Sequence, residues 1–240
     1  MAKKFRISSL CLATVMALMS TNASAVSVSL TPLTGVLGTP TAGTQVFRGN
    51  LGAIPGNPTI NAISVSDASG GVGGSPGQFS GFDLDGIILS TKFCTTTACL
   101  VGAPTINVFN YASGTVFTKG YQTAPLSPKL FGTDASGNAV DNAVATLGFF
   151  DANSSTSAPA RFLSLGYDGS ILFNLTSPTA LSGLYLYLGE VGGNGENPAA
   201  NVNLFAMGVP EPSTWAMMIL GIGFAGAAMR RRQRVSLSYA

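Results

Sequence analysis

Two aspartates two residues apart form the closest carboxylate pair in this 240-residue sequence. They lie in FDLDG at 82–86, and on a strand Asp83 and Asp85 would project from one face. Such a pair could supply hard oxygen ligands to calcium. The EF-hand spacing fails, because its third acidic position is Ile87 and its twelfth is Cys94. The pattern also fits the solvated polar face of a half-buried strand, which we favour.

A second carboxylate pair, Glu190 and Glu196, could serve as the acid and the nucleophile or base of a glycosidase. Both lie in GEVGGNGENP at 189–198, where glycine and asparagine give little preorganisation. We favour a turn or a calcium-binding role for this predicted loop. Together with Asp168, these glutamates could complete a cation site only if the fold brings them near the two aspartates.

The segment GGSPG at 73–77 fits the nucleophile elbow of an esterase. A serine nucleophile there needs a base, usually histidine, to take its proton. The chain has no histidine, and Pro76 prevents the usual helix start. We therefore name no catalytic residue and expect the protein not to be an enzyme.

Short apolar runs separated by turn residues indicate strands. We predict them at 26–30, 59–66, 82–90, 105–111, 115–121, 145–150, 161–165, 170–175, 183–188 and 201–205. Long loops are expected at 31–58 and 69–77, and Leu184, Leu186 and Leu188 should face the core. The fold class is therefore all-β, an antiparallel β-sandwich of jelly-roll type.

The N-terminus has the pattern of a signal peptide. Lys3, Lys4 and Arg6 precede the apolar stretch 10–19. Ala23-Ser24-Ala25 then supplies the small residues, Ala23 and Ala25, that signal peptidase needs. Residues 1–25 are predicted to be removed, so that the mature chain begins at Val26.

The C-terminal part contains an apolar run at 213–229, about 17 residues, followed by a basic cluster of Arg230, Arg231, Arg232 and Arg234. Arginines resist translocation, so this flank stays cytoplasmic. We predict a transmembrane helix at 213–229, a short cytoplasmic end at 235–240 and an exported domain at 26–207.

In an oxidising compartment the two cysteines of that domain, Cys94 and Cys99, should form a disulfide across a four-residue hairpin loop. Closing so short a loop contributes about 2 kcal/mol in the entropic account. A metal pair is the disfavoured alternative, because two thiols need further ligands and the chain has no histidine.

Charge is sparse in the domain. Residues 26–208 hold five basic and nine acidic side chains, a net formal charge of −4. Such a surface argues against nucleic acid, which needs basic contacts to phosphate. About 180 residues with a high apolar content suit one domain with a sizeable core.

The order VPEPSTW at 209–215, apolar helix and arginine cluster closely resembles the PEP-CTERM sorting signal, here at 208–234. That signal occurs in Gram-negative bacteria with an extracellular polysaccharide matrix. In the family, the membrane protease exosortase is thought to recognise the motif, here Pro210, Glu211 and Pro212, and to remove the helix. The resemblance implies transient anchoring in the inner membrane, then a place at the cell surface or in the matrix.

Two functions follow as hypotheses. The first is a non-enzymatic structural or adhesive protein with extracellular polysaccharide as its partner, a partner that the resemblance implies. The second is a polysaccharide-active hydrolase or lyase that uses carboxylates. Tyrosines could stack on sugar rings, although packing in strands is the favoured role for most of them. The candidates are Tyr111, Tyr121, Tyr167, Tyr185 and Tyr187. No cofactor is expected, apart from the calcium considered for Asp83 and Asp85.

Overall fold

The architecture is that of a computed structural model, which describes residues 25–38, 43–151, 162–192, 202–206 and 219–224. By internal contacts the chain divides into two units. One is Ser24–Met207, which contains every described strand, and the other comprises the two ends, Met1–Ala23 and Gly208–Ala240.

Ten strands in the described residues form two five-stranded antiparallel sheets. The first sheet has the order β1 (Ala25–Val28), β10 (Val202–Ala206), β4 (Thr59–Ser66), β8 (Ser170–Ala180) and β6 (Thr115–Thr118). The second has the order β2 (Leu30–Pro32), β3 (Thr44–Asn50), β9 (Tyr185–Val191), β5 (Asp83–Ser90) and β7 (Leu163–Ser164). Short 3₁₀ helices lie at Leu51–Ala53, Gly77–Phe79 and Thr97–Leu100. The predicted all-β class is confirmed.

The two sheets share one hydrophobic core. Its largest cluster takes Ile63 and Phe173 from the first sheet and Ile87 and Leu188 from the second, all fully buried. Period-two alternation places these side chains inward. The leucines Leu184, Leu186 and Leu188 belong to this cluster, as the sequence predicted.

Several strand predictions are wrong. The runs 105–111 and 145–150 form no regular strand, and β3 lies inside 31–58, which was predicted to be a loop. The run 26–30 is broken at Ser29, so that β1 joins one sheet and β2 the other. By contrast, β4 coincides with the predicted run 59–66.

The irregular runs 105–111 and 145–150 lie along the edge of β5 that β9 does not pair with, and they supply its backbone hydrogen bonds. β9 pairs with one side of β5, and β7 pairs with the other side only at Asp83 and Leu84. Further along that edge, the Ile87 N–H donates to the Leu147 carbonyl (2.9 Å), and the Ile106 N–H donates to the Leu89 carbonyl (2.8 Å). These single bonds satisfy the strand edge without a further strand.

The predicted transmembrane helix lies almost wholly outside the described residues. Residues 219–224 are described, and they are helical. Among the described residues, no helix has the length and apolar character needed to cross a membrane.

Candidate functional site

The two aspartates of β5 are buried. Every residue of β5 is buried, with Asp83 5% exposed and Asp85 0%. The Ser164 hydroxyl donates to Asp83 and the Thr44 hydroxyl donates to Asp85, each at 2.5 Å. The interpretation of this pair as a solvated polar face is therefore wrong.

Packing between distant segments explains the burial. A Cβ on Gly86 would lie 2.5 Å from the Phe149 carbonyl oxygen, and one on Gly189 would lie 2.7 Å from the Phe150 ring. These glycines let the segment 145–150 pack directly against β5 and β9. Asp85 itself lies where the β5–β9 register shifts, as in a β-bulge.

The electrostatics at Asp83 favour its neutral form. Burial raises the pKa of Asp83 well above its ordinary value, although the Ser164 hydrogen bond opposes this. The charges of Glu190 and Asp67 raise it further. With so little exposure, Asp83 and Asp85 present no surface that a substrate could reach.

Among the described residues, the other carboxylates do not assemble a cation site with Asp83 and Asp85. Within the described ranges, no three His, Cys, Asp or Glu side chains are placed to hold a metal. Asp168 lies in a tight turn with φ +61°. Asp67, which the sequence reasoning missed, accepts the N–H groups of Phe82 and Asp168 at 3.1 Å and organises that turn.

Glu190 is not a loop residue. Glu190 lies in β9, fully buried, opposite Leu84 of β5 and Gln45 of β3. The prediction that it lies in a loop is wrong, because β9 extends three residues beyond the predicted run at 183–188. Glu196 lies outside the described residues.

The predicted disulfide is present. Cys94 and Cys99 are joined with an S–S distance of 2.04 Å and a Cα–Cα distance of 5.5 Å. The hairpin expected between them is wrong, since a 3₁₀ helix begins at Thr97.

The disulfide loop is fixed to the second sheet by polar contacts. The buried Tyr187 hydroxyl donates to the Lys92 carbonyl (2.7 Å) and accepts the Cys94 N–H (2.9 Å). Burial raises the pKa of Tyr187, which keeps the hydroxyl protonated. Arg48 donates to the Cys94 carbonyl (2.6 Å), and its guanidinium lies 4.2 Å from the centre of the Phe93 ring.

Most of the candidate sugar-stacking tyrosines are occupied in packing. Tyr167 and Tyr187 are buried, and Tyr185 packs edge-on against Phe93. Tyr121 is 52% exposed and packs against Tyr167 with ring centres 5.3 Å apart. Tyr111 is partly buried and lines a cleft.

That cleft, of about 450 Å³, lies where segments 105–112 and 142–149 run beside β5. The Tyr111 hydroxyl donates to the Ile87 carbonyl (3.0 Å), and its ring packs edge-on against Phe173. Phe149 borders the cleft and is 63% exposed. None of the described residues that line it is charged.

Polar side chains of the cleft are available to a ligand. Asn107 and Asn142 line it, and their side chains make no hydrogen bond within the described part of the chain. Thr105 adds a hydroxyl, while the Thr146 hydroxyl donates to the Asp151 carboxylate at 3.3 Å. Sequence reasoning missed the cleft, because its two walls are 29 residues apart in the chain and most of both walls was predicted to form strands.

The esterase elbow has no structural support. Ser75 lies in an irregular loop in which Gly73, Gly74 and Gly77 all have positive φ. A nucleophile elbow needs a strand immediately before the serine. The loop predicted at 69–77 is irregular as far as Pro76, and Gly77 begins a 3₁₀ helix.

The predicted sorting and cleavage residues lie outside the described residues, except Ala25, the first residue of β1. They are Ala23, Pro210, Glu211, Pro212, Arg230, Arg231, Arg232 and Arg234. Signal removal and the transmembrane segment therefore remain predictions from sequence.

The fold is an all-β antiparallel unit with a disulfide, and the C-terminal part of the chain carries a recognisable sorting motif. The family model of the PEP-CTERM protein-sorting motif matches residues 208–232. No curated protein and no solved structure matches the chain. The chain carries this motif, which implies processing by the membrane protein exosortase, export through a Gram-negative envelope and a surface location.

Proposed function

We propose that the protein is a structural or adhesive component of the cell envelope or extracellular matrix that associates with extracellular polysaccharide. The observation that carries the proposal is the PEP-CTERM motif at 208–232. After exosortase removes the helix, the unit formed by Ser24–Met207 acts at the cell surface. It has no catalytic role in this proposal.

Charge and covalent structure support this destination. The net charge of −4 between residues 26 and 208 suits neutral partners better than polyanions. The Cys94–Cys99 disulfide suits an oxidising compartment outside the cytoplasm.

We also propose that the two sheets form a β-sandwich of jelly-roll type. The shared cluster of Ile63, Phe173, Ile87 and Leu188 supports face-to-face stacking of the sheets. A sandwich leaves loops and sheet edges for contact with a matrix, while the core gives mechanical stability.

The burial of Glu190 argues against the enzyme alternative. Glu190 is fully buried in a central strand, and a glycosidase carboxylate must reach the scissile bond. Glu190→Gln should leave polysaccharide turnover in the matrix unchanged. A loss of turnover in that variant would favour the hydrolase or lyase.

Fractionation of producing cells tests the proposal. We expect the wild-type protein in the polysaccharide-bound matrix fraction, and a variant with Pro210, Glu211 and Pro212 all replaced by alanine in the membrane fraction. Pro198→Ala, upstream of the motif, serves as the control and should behave as wild type. Wild-type protein found mainly in the cytoplasm, or matrix loading by the triple variant, would contradict the proposal.

A further inference from the structure

We infer that the cleft beside β5 binds a short segment of an uncharged glycan, with Phe149 as the stacking surface. The inference rests on the proposed function for the partner class and names the site and its selectivity. It is argued from the shape, the charge and the side chains of the cleft.

The cleft has a size and lining that suit a small ligand. Its volume of about 450 Å³ falls in the usual range for ligand sites. Buried Ile88 and Leu147 contribute apolar side chains, and Asn107 and Asn142 add amides with no hydrogen-bond partner within the described residues. Apolar walls with a few polar groups are typical of specific binding sites.

One wall of the cleft is preorganised. The Tyr111 ring is held by its hydrogen bond to the Ile87 carbonyl, by a tilted contact with the Phe109 ring and by an edge-on contact with the Phe173 ring. It also packs against Gly148, where a Cβ would lie 3.4 Å from the ring. A fixed aromatic surface loses little entropy when a ligand binds.

The exposed ring of Phe149 favours a ligand that has an apolar face. It is 63% exposed at the cleft, where an apolar ring gains from contact with apolar ligand surface. A sugar ring offers an apolar C–H face for stacking and hydroxyls at its edges for amides. A glycan therefore contacts both the Phe149 ring and the amides of Asn107 and Asn142.

The absence of charge in the described lining decides between glycans. A uronate, a phosphate or a charged peptide would be desolvated there without a counter-charge, which is costly. The excess of acidic residues in the surrounding domain adds repulsion for polyanions. The site therefore selects neutral sugars.

Calorimetric titration of the full-length chain, exported to the periplasm and purified in detergent, tests the inference. The probes are cellohexaose, maltohexaose and mannohexaose, with hexagalacturonate as the charged comparison. We expect at least one neutral hexamer to bind and the hexagalacturonate to bind at least about tenfold more weakly.

Variants locate the site. Phe149→Ala should weaken binding about five- to tenfold, while Phe149→Tyr should retain it because the ring is kept. Phe93→Ala removes another exposed phenylalanine outside the cleft and should have no effect on binding. Unchanged urea midpoints in all three variants show that folding is intact.

The possible outcomes distinguish failure of the cleft assignment from failure of the proposed polysaccharide role. Glycan binding that is unaffected by Phe149→Ala overturns the cleft assignment and leaves the polysaccharide role standing. Equal or tighter binding of hexagalacturonate overturns the selectivity. No binding of any hexamer overturns the inference, and the polysaccharide role then falls as well if native matrix polysaccharide also fails to retain the protein.

Discussion

At the residue scale, buried polar groups of the second sheet are held by defined partners. Asp83 and Asp85 each accept a hydroxyl hydrogen bond, and Tyr187 bridges two backbone groups. Buried polar groups that are satisfied in this way are costly to alter, because the partner is left without a bond. These residues therefore stabilise one arrangement of the strands and the disulfide loop.

The pH dependence of stability follows from Asp83. Burial raises its folded-state pKa above the ordinary value of 3.8, so the folded chain keeps a proton that the unfolded chain releases. Its contribution to the free energy of unfolding is largest below that ordinary value and declines as pH rises toward the folded-state pKa. Asp83→Asn should show a smaller decline between pH 4 and pH 8 than wild type, as measured by urea unfolding.

The control for that experiment is Asp151→Asn, which alters an exposed carboxylate. Its pH slope is the reference with which the slope of Asp83→Asn is compared. Identical slopes in wild type and Asp83→Asn would contradict the assignment of a raised pKa to this residue.

Tyr187→Phe tests the bridge between β9 and the disulfide loop. Losing the hydroxyl leaves the buried Cys94 N–H without its acceptor, so we expect a loss of roughly 1–3 kcal/mol in unfolding free energy. Tyr185→Phe is the matched control, since the Tyr185 hydroxyl makes no hydrogen bond within the described ranges. Equal stability of both variants would show that the bridge contributes nothing.

At the element scale, the irregular segments complete the second sheet and form the cleft. Segments 105–112 and 142–149 provide backbone partners for β5 through Ile106 and Leu147. They depend on glycines that allow close backbone approach. Their conformation is thus set by the sheet rather than by their own propensity.

Gly86→Ala should displace one of these segments. The added Cβ would lie 2.5 Å from the Phe149 carbonyl oxygen, so the 147–149 backbone must move, at a cost of about 1–3 kcal/mol. Gly148→Ala is the control, because its Cβ would make an ordinary contact at 3.4 Å. Urea unfolding compares the two, and equal midpoints would show that the close approach is not rigid.

Removing the disulfide should loosen its loop. Replacing Cys94 and Cys99 by alanine should lower the unfolding free energy by about 2 kcal/mol, the entropic value for so short a loop. Reductant should destabilise wild type by a similar amount and leave the double variant unchanged. Loss of stability on adding reductant to the double variant would contradict this account.

The local alternation of apolar and polar residues was enough to predict β4 and the inward-facing leucines of β9. It failed at β3, whose sequence TQVFRGN lies among the glycines and prolines of 31–58. It failed again at 145–150, where apolar residues pack across β5 instead of forming a strand. Alternation around Asp83 predicted a solvated face, because nothing local shows that a distant segment covers it.

At the scale of the whole molecule, the basic residues mark the two ends and the domain between them is acidic. Seven of the twelve basic residues lie in the predicted signals, and five lie between them. With the sorting motif at 208–232, this distribution gives one coherent account of an exported and processed protein. The candidate site could not be predicted in the same way, because its walls come together only in the fold.

The central claim is that the domain is exported and released from its C-terminal helix. Mass spectrometry of the surface-associated protein, from cells that contain an exosortase, tests it most directly. We predict a chain that begins at Val26 and ends near Pro212. Retention of Trp215 to Arg234 in the surface-associated form, or an intact N-terminus beginning at Met1, would contradict the account.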